Sequence, residues 1–452
     1  MDVVNKKAVV VGFGKSGISA ARWLSSHGAR VTISERKRES EFTPDLLNQV
    51  RDLGILLETG GHSMGTFLDS DMIVLSPGVP LDLEPLVAAR KKGIPILGEM
   101  GLAVGLIDMP VVAVTGTNGK STVTAFLGAL LDRAGVKVFV GGNIGTPLMD
   151  YVMGKEKADT AVLEVSSFQL DTMAEFRPAV SILLNISPDH LDRYPDYEAY
   201  VQSKLRICRD QGEGQYVLLN DEDETLRGFT PASPVSVLRY GIREKRERQA
   251  FLEGRGIRAV WQSSSQYFSL EKWSLPGHHN RENLMACVLA GLALHVNPQV
   301  IQKTIEQFRG LPHRLEWVGR IRDVDFYDDS KATNVDAAVR SVVSFNRSVI
   351  LIAGGRHKGG DYAPLVAACR GKVRKAIFLG ESRDLLAQAF GKAIPYQSAA
   401  DMGDAVSLAF ASARPQDVVL LAPACSSFDM FEDYAHRGRV FKEAVKRLEN
   451  GK

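Results

Sequence analysis

Short apolar runs rich in valine, isoleucine and leucine recur along the chain, and a cluster of glycines or polar residues follows most of them. Examples are AVVV before GFGKSG, VVAV before TGTNGKST, TAVL before EVSS, SILL before NISPDH and VILI before AGGRHKGG. Segments with helical periodicity separate the runs, and this alternation is typical of parallel sheets flanked by helices. The sequence therefore predicts an α/β fold whose ligands bind at the carboxyl ends of the strands, where the clusters lie.

The length of the chain, 452 residues, indicates several domains, because a single hydrophobic core stops growing near about 250 to 300 residues. We predict three domains, each a mostly parallel sheet flanked by helices, with boundaries near Gly98 and Gly310. They are a Rossmann-like domain over residues 1–98, a P-loop-type domain over 99–310 and a Rossmann-like domain over 311–452. The predicted strands are Lys7–Val11, Arg30–Ser34 and Met72–Leu75 in the first domain, Val111–Val114, Ala161–Glu164, Val180–Asn185 and Tyr216–Leu219 in the second, and Val324–Tyr327, Val349–Ala353, Ala376–Leu379 and Val418–Leu421 in the third.

The composition excludes some broad classes of protein. With 45% hydrophobic residues, 24% charged residues and a net charge of +2, the chain is neither disordered nor suited to polyanions, so we expect no nucleic-acid partner. No apolar run reaches the ~20 residues of a membrane span and the first residues lack a secretory pattern, so we expect a cytoplasmic protein without a membrane partner.

The four cysteines, Cys208, Cys287, Cys369 and Cys425, are too scattered for a zinc site or a disulfide framework, which predicts reduced, buried thiols. The segment Ile242–Arg258 mixes both signs of charge and is predicted to be solvated.

The segment VTGTNGKST, residues 114–122, resembles a phosphate-binding loop in which Val114 replaces the first glycine of the usual pattern. It lies between a predicted strand and a predicted helix, so its backbone N–H groups and the positive end of the helix can bind phosphate. Lys120 can reach the terminal phosphates, and the hydroxyl of Ser121 or Thr122 can bind Mg²⁺. The segment therefore predicts a site for a nucleotide triphosphate.

A second glycine-rich loop, GFGKSG, matches the dinucleotide pattern G-x-G-x-x-G at Gly12, Gly14 and Gly17. The acidic residue Glu35 follows the next strand, where a ribose-binding carboxylate is expected. Three interpretations remain open from these residues: a nicotinamide dinucleotide, a sugar nucleotide, or a tight turn without a ligand.

Polar residues after other strands add candidate metal and anion sites. Glu164 ends an apolar strand and is the leading candidate for a Mg²⁺ ligand, and His190 with Asp189 and Asp192 is another. In the third domain the candidates for binding a carboxylate-bearing ligand are Asp329–Asn334, Arg356–Lys358 and Ser426–Phe428, although each of them could be an ordinary helix cap.

Taken together, GTNGKST, LEVSSFQLD, NISPDHLDRYP, GLPHRLE, DDSKATN and LLAPACSSFDMFEDYAHRG resemble the motifs of the Mur ligases, across all three predicted domains. DSKATN, SPDHLDRY and PACSSFDMF are similar to the branch of that family that adds D-glutamate. The resemblance implies a monomeric enzyme of cytoplasmic peptidoglycan precursor synthesis. It would use ATP and Mg²⁺ to join D-glutamate to UDP-N-acetylmuramoyl-L-alanine through an acyl phosphate.

The resemblance also implies the roles of individual residues. The catalytic residues would be Lys120, Glu164, His190 and Lys204. Ser121 and Glu164 would bind a first Mg²⁺ and His190 a second one, helped by Lys204 after its amine has reacted with carbon dioxide to form a carbamate. ATP would contact Gly116, Thr117, Asn118, Gly119, Lys120, Ser121, Thr122, Asn280, Asn283, Arg314, Asp329 and Lys358. The UDP substrate would contact Gly14, Lys15, Ser16, Gly17, Glu35, Arg36, Gly78 and Asn143, and D-glutamate would contact His313, Lys331, Thr333, Ser427 and Tyr434.

Two other functions remain as alternatives. A dehydrogenase that binds NAD at GFGKSG would leave DSKATN and the lysine loop, VTGTNGKST at residues 114–122, without a role. A nucleotide sensor that has lost ligase activity is disfavoured because every charged motif position carries a suitable residue.

Overall fold

The computed structural model describes residues 2–190 and 193–451. Its strands, in chain order from β1 to β20, are Lys7–Val11, Arg30–Glu35, Leu56–Thr59, Met72–Leu75, Ile96–Gly98, Val111–Thr115, Val138–Gly142, Thr160–Glu164, Val180–Leu183, Tyr216–Asn220, Ser236–Tyr240, Arg248–Glu253, Gly256–Trp261, Ser264–Ser269, Glu316–Ile321, Val324–Asp328, Val349–Gly354, Val373–Leu379, Tyr396–Ser398 and Val418–Leu421.

The α-helices, from α1 to α17, are Lys15–Ser26, Pro44–Arg51, Met64–Leu68, Glu84–Lys91, Glu99–Val104, Lys120–Arg133, Leu148–Met153, Ser167–Asp171, Tyr197–Leu205, Glu224–Arg227, His278–Ala293, Pro298–Gln307, Val335–Val343, Ala363–Cys369, Arg383–Phe390, Met402–Ser412 and Tyr434–Glu449. Short 3₁₀ helices cover Glu39–Glu41 and Arg206–Cys208. Among the residues described, no helix combines the length and the apolar character that a membrane span requires.

The first sheet has five parallel strands in the order β3-β2-β1-β4-β5. Its central strand β1 pairs Val11 with Ser34 of β2 and with Leu75 of β4. The loops that follow these three strands therefore leave the sheet at one edge.

The second sheet has nine strands in the order β14-β13-β12-β11-β10-β9-β6-β8-β7. The pairs from β7 to β12 are parallel, and β12 pairs with β13 in the antiparallel direction. The register aligns Val114 of β6 with Glu164 of β8 and with Ile182 of β9. The lysine loop thus lies between the ends of β8 and β9.

The third sheet has six strands in the order β15-β16-β20-β17-β18-β19, parallel except for the hairpin of β15 and β16. Because β20 lies between β16 and β17, the segments that follow these three strands are neighbours. They begin at Asp329, Ala422 and Gly355.

The contacts between Cα atoms group the chain into two compact units. The larger unit contains the residues up to Phe268 together with Met285–Thr304, and the smaller unit contains Ser269–Leu284 together with the residues from Ile305 onward. The three-domain α/β architecture with mostly parallel sheets is confirmed, while the boundaries near Gly98 and Gly310 stay a prediction.

Most predicted strands are found within one or two residues of their predicted ends, and all four cysteines are buried and free, as predicted. The prediction that the charged segment is solvated was wrong for part of it, because Ala250, Phe251 and Ile257 are buried and the charged residue Arg248 is buried with them. Arg248 is buried at the start of β12, where its guanidinium donates to Asp221 at 3.1 Å and to Glu222 at 2.8 Å. Two carboxylates therefore compensate the burial of this charge.

Candidate active site

The lysine loop is fixed by hydrogen bonds that its N–H groups donate to the segment after β9. Thr117 N–H donates to the carbonyl of Asn185 at 2.8 Å, and Asn118 N–H donates to the side chain of the same residue at 2.8 Å. Gly119 adopts a φ of +90° at the start of α6, a conformation that favours glycine. Lys120 Nζ donates to the carbonyls of Gly116 at 2.8 Å and Thr117 at 3.0 Å, so the ammonium lies over the loop that would bind phosphate.

A carboxylate lies beside the first turn of α6. Ser121 Oγ donates to Glu164 Oε2 at 2.5 Å, and Asn143 Nδ2 donates to Glu164 Oε1 at 2.9 Å. Glu164 is buried at the end of β8, and the backbone N–H of Asn143 donates to its carbonyl at 2.8 Å. A hydroxyl, a carboxylate and a side-chain amide therefore meet at one point, and the hydroxyl and carboxylate oxygens are ligand types that Mg²⁺ prefers.

Lys204 is buried on α9, and its Nζ donates to the carbonyl of Gly116 at 3.1 Å. Burial, followed by the nearby charge of Lys120, lowers the pKa of Lys204 well below its usual value. The ring of Tyr200 lies under the amine, with its centroid 4.6 Å from Nζ, and the Tyr200 hydroxyl lies 3.1 Å from Thr117 Oγ1. Sequence reasoning missed Tyr200, although its position four residues before Lys204 places both on one helix face.

His190 lies in a turn after β9 and has a φ of +55°. Its backbone N–H donates to Asp189 Oδ1 at 3.0 Å, and its ring packs edge-on against Phe168 with 4.9 Å between centroids. Asp189 also contributes to the electrostatic environment of Lys204. The other acidic candidate of this segment, Asp192, lies outside the described residues.

The glycine-rich loop precedes α1 at the carboxyl edge of the first sheet. A Cβ on Gly17 would lie 2.1 Å from the carbonyl oxygen of Gly12, whereas the surroundings of Gly14 are open. Glu35 Oε2 accepts a hydrogen bond from Phe13 N–H at 2.8 Å, so this carboxylate also holds the loop in place. The remaining predicted residues of this site, Lys15, Ser16, Arg36 and Gly78, are exposed or half-buried around it.

In the smaller unit, His313 forms a close pair with Asp328, the last residue of β16. His313 Nδ1 lies 2.6 Å from Asp328 Oδ2, and both side chains are buried. A second acidic residue, Glu316, accepts from His313 N–H at 2.8 Å and pairs with Lys442 at 2.6 Å. These three acceptor-bearing residues could surround a metal ion, but Lys442 already compensates the charge of Glu316.

Four of the five residues predicted to bind D-glutamate lie after β16, after β20 and at the start of α17, and the fifth, His313, precedes β15. Lys331 Nζ lies 3.8 Å from the centroid of the Tyr434 ring, and that ring packs edge-on against His313. Thr333 N–H donates to the carbonyl of Lys331 at 2.8 Å, and Ser427 is buried in the segment after β20. Because β16 and β20 are adjacent, these side chains come from neighbouring segments of one sheet edge.

Arg437 connects these segments and was missed by sequence reasoning. Its guanidinium is buried and donates to the carbonyls of Ser330 at 2.8 Å, of Cys425 at 3.2 Å and of Ser426 at 3.2 Å. Burial lowers its pKa to about 10. The sequence did indicate that Arg437 is buried, because it lies on the apolar face of the amphipathic helix α17, one turn before the buried Phe441.

The remaining residues predicted for ATP also lie in the smaller unit. Asp329 is buried, accepts from Leu315 N–H at 3.3 Å and from the hydroxyl of Ser341, and has its pKa raised to about 6 by burial. Arg314 contributes a favourable charge beside it. The other three are Asn280 and Asn283, which are buried near the start of α11, and Lys358, which is exposed after β17.

The chain is similar to known proteins in each of its three domains. Three family models match: "Mur ligase MurD-like, N-terminal domain" at residues 6–98, "Mur ligase middle domain" at 114–291 and "Mur ligase, glutamate ligase domain" at 313–425.

The chain is 44% identical to the UDP-N-acetylmuramoylalanine–D-glutamate ligase of Desulfosudis oleivorans, over 100% of this chain and 98% of that protein. It is 40% identical to the protein of the same name from Geotalea uraniireducens, over 100% and 99%. Among solved structures, it is similar in fold to the MurF ligase of Thermotoga maritima in complex with ADP, with a TM-score of 0.62, 16% identity and coverage of 99% and 100%. The chain belongs to the Mur ligase family.

Proposed function

We propose that this protein is an ATP-dependent amide ligase that joins D-glutamate to UDP-N-acetylmuramoyl-L-alanine in peptidoglycan precursor synthesis. The relatives that match it over its full length carry the name of that activity. The observation that carries the proposal is the meeting of Lys120, Ser121, Glu164 and Asn143 at one edge of the central sheet. A cation, a hydroxyl and a carboxylate beside a helix amino terminus suit the transfer of a phosphoryl group.

The reaction proceeds in two steps. A carboxylate oxygen of the muramoyl-alanine substrate attacks the γ-phosphorus of ATP, the bond to the bridging oxygen breaks, and ADP leaves. The amine of D-glutamate then attacks the acyl carbon, loses a proton and expels phosphate with the electron pair of the C–O bond. Lys120, above the carbonyls of Gly116 and Thr117, offsets the negative charge of the phosphates.

Magnesium fits the residues beside α6. Ser121 and Glu164 would hold a first ion, and His190 would contribute to a second. Bound Mg²⁺ neutralises charge on the phosphates, so that an anionic carboxylate can approach them. The hydroxyl of Ser121, 2.5 Å from a carboxylate oxygen of the buried Glu164, supports this assignment.

We further propose that Lys204 carries a carbamate. The neutral amine adds to carbon dioxide, a C–N bond forms, and a proton is lost, so that a cation becomes an anion that can help to hold the second Mg²⁺. The burial of Lys204, its place 3.1 Å from the carbonyl of Gly116 and its lowered pKa support this proposal, because only the uncharged amine reacts.

The other predicted contacts complete the proposal. The UDP group is bound by Gly14, Lys15, Ser16, Gly17, Glu35, Arg36 and Gly78, with Asn143 near the transferred phosphate. D-glutamate is bound by His313, Lys331, Thr333, Ser427 and Tyr434. ATP is also contacted by Thr117, Asn118, Gly119, Thr122, Asn280, Asn283, Arg314, Asp329 and Lys358. The protein acts as a cytoplasmic monomer on small-molecule substrates.

Phosphate release tests the function. The chain is incubated with ATP, Mg²⁺ and UDP-N-acetylmuramoyl-L-alanine, and a panel of D- and L-amino acids is added one at a time. We expect fast release only with D-glutamate and none without the muramoyl substrate. A preference for another amino acid would contradict the choice of D-glutamate while sparing the ligase class. Tight NADH binding without binding of the UDP substrate would favour the dehydrogenase alternative.

A further inference from the structure

The loop that follows β4, residues Ser76–Asp82, is fixed against the glycine-rich loop. Ser76 Oγ donates to the carbonyl of Gly12 at 3.3 Å, and a Cβ on Gly17 would lie only 2.8 Å from the same Ser76 oxygen. No atom lies within 4 Å of the position that a Cβ on Gly78 would take. The backbone of this loop is therefore packed on one side and open to a ligand on the other.

Arg193, which lies between β9 and α9, binds this loop through its side chain. Its Nη1 donates to the carbonyl of Gly78 at 2.8 Å, and its Nη2 donates to the carbonyl of Val79 at 3.0 Å. The guanidinium lies over the ring of Phe168, 4.6 Å from its centroid. One planar fork thus bonds two successive carbonyls and stacks on a ring, an arrangement that a lysine ammonium cannot reproduce.

The backbone of Arg193 belongs to the turn that carries His190. The N–H groups of Arg193 and Tyr194 donate to the carbonyl of His190 at 2.9 Å and 3.2 Å. The ring of Phe168, under the guanidinium, also packs edge-on against the His190 imidazole. The loop after β4 is therefore linked to this turn by one side chain, Arg193, and by the ring of Phe168 beneath it.

We propose that Arg193 is a positioning residue that couples the loop after β4 to the turn carrying His190. The inference rests on the proposed function, in which Gly78 contacts the UDP substrate and His190 contributes to a magnesium site. A substrate that orders the loop then favours one arrangement of the His190 turn, and by thermodynamic linkage the ordered turn strengthens the binding of the substrate. The family motif that contains this arginine does not by itself indicate such a contact.

The variant Arg193→Lys tests the coupling in the full chain. It keeps the positive charge but loses the fork, so we expect the KM for UDP-N-acetylmuramoyl-L-alanine to rise about tenfold. The magnesium concentration that gives half-maximal rate should rise about threefold. The KM for D-glutamate and the melting temperature should stay unchanged. The matched control is Arg177→Lys, an exposed arginine of the same unit that pairs with Glu175.

Two results would overturn the inference. One is an unchanged KM for the UDP substrate, and the other is a raised KM with an unchanged magnesium requirement, because the loop would then be held without any effect on the His190 turn. If Arg193→Lys does not fold, Phe168→Leu removes the ring under the guanidinium and should shift both quantities in the same direction.

Calorimetric binding of UDP-N-acetylmuramoyl-L-alanine without ATP separates the inference from the proposed function. Binding by the unaltered chain with weaker binding by Arg193→Lys supports both. Equal binding by the two proteins overturns the inference alone, and absence of binding by the unaltered chain overturns the proposed function and the inference with it.

Discussion

Two lysines approach the same carbonyl oxygen in the lysine loop. Lys120 Nζ lies 2.8 Å and Lys204 Nζ lies 3.1 Å from the oxygen of Gly116, and Lys204 is buried. Two ammonium groups that both contact one oxygen atom repel each other, and burial disfavours the charged form of Lys204. In the proposed function the two residues therefore have different roles: Lys120 would act as a cation toward phosphate, and Lys204 is suited to chemistry that needs a neutral amine.

For Lys120→Ala we expect phosphate release to fall by at least about 10³-fold, because charge stabilisation of the phosphoryl group is lost. The control is Lys137→Ala, which removes an exposed lysine of the same unit. Near-normal phosphate release by Lys120→Ala would refute the placement of ATP at this loop.

For Lys204→Ala we expect a loss of phosphate release of at least about 100-fold, because an anion close to the proposed second magnesium is removed. Added formate or acetate should restore part of the rate by supplying a carboxylate in the vacated space. The same salts should have no effect on Lys137→Ala. A variant that keeps full activity would show that Lys204 carries no functional carbamate.

The sequence allowed the positions of Lys120, Ser121 and Glu164 to be predicted, because each lies at or just after the end of an apolar strand. Lys204 lies on a helix, and the composition of that helix gives no sign that it packs against the lysine loop. A catalytic role for Lys204 was predicted only through the family resemblance, and it stays a prediction. Tyr200 and Arg437 were missed because their contacts depend on the packing of distant segments.

At the scale of the elements, two close contacts made by helices can each be tested by one substitution. At the start of α5, the buried Glu99 accepts a hydrogen bond from Met149 N–H of α7 at 3.0 Å. Burial raises its pKa to about 7, although the hydrogen bond opposes this shift. In α17, the absence of a side chain at Gly438 leaves room for the pair formed by His313 and Asp328.

Glu99→Gln tests the first contact through the pH dependence of stability. Because the pKa of Glu99 is raised in the folded state, the unaltered chain loses stability as pH rises from about 4.5 through about 7. Glutamine keeps the acceptor for Met149 N–H and does not ionise. The difference in melting temperature between the variant and the unaltered chain should therefore increase from pH 5 to pH 8. The corresponding gain in the free energy of unfolding is at most about 3 kcal/mol. A difference that is independent of pH would contradict the assignment.

Gly438→Ala tests the second contact. Alanine normally stabilises a helix relative to glycine by about 1 kcal/mol, but here its Cβ would lie 2.1 Å from His313 Nδ1 and 2.7 Å from Asp328 Oδ2. We expect the displaced imidazole to raise the KM for D-glutamate about tenfold or more, with the KM for the UDP substrate unchanged. Lys446→Ala, at an exposed position of the same helix, is the control. An unaltered KM for D-glutamate would argue against a role for His313 in binding it.

Strand identity could be predicted from the sequence better than strand order. The runs at β1, β4 and β20 were predicted with their observed ends, because buried parallel strands are continuously apolar. The strands β3, β5, β7 and β19 carry mixed or exposed residues and gave no such signal. The strands β11 to β14 were not predicted either, and of these β12 and the start of β13 lie in the charged segment Ile242–Arg258.

At the scale of the whole molecule, three sheets each place polar loops at their carboxyl edges, as the alternating pattern predicted. The grouping of the first two sheets into one unit was not predicted. One hydrophobic cluster runs through both, joining Val10 and Met100 to Leu148 and Leu163, and such a shared core depends on contacts between distant segments. The larger unit therefore holds both the proposed UDP loop and the proposed phosphate loop within a single packed body.

The central claim is that this protein activates the muramoyl carboxylate as an acyl phosphate before the amide bond forms. The direct measurement uses UDP-N-acetylmuramoyl-L-alanine labelled with ¹⁸O in both oxygens of that carboxylate, together with ATP, Mg²⁺ and D-glutamate, and determines the masses of the products. We predict that one ¹⁸O appears in the released inorganic phosphate for each amide formed and that the other stays in the amide carbonyl. Product formation with unlabelled phosphate, or with the label in AMP, would contradict this account.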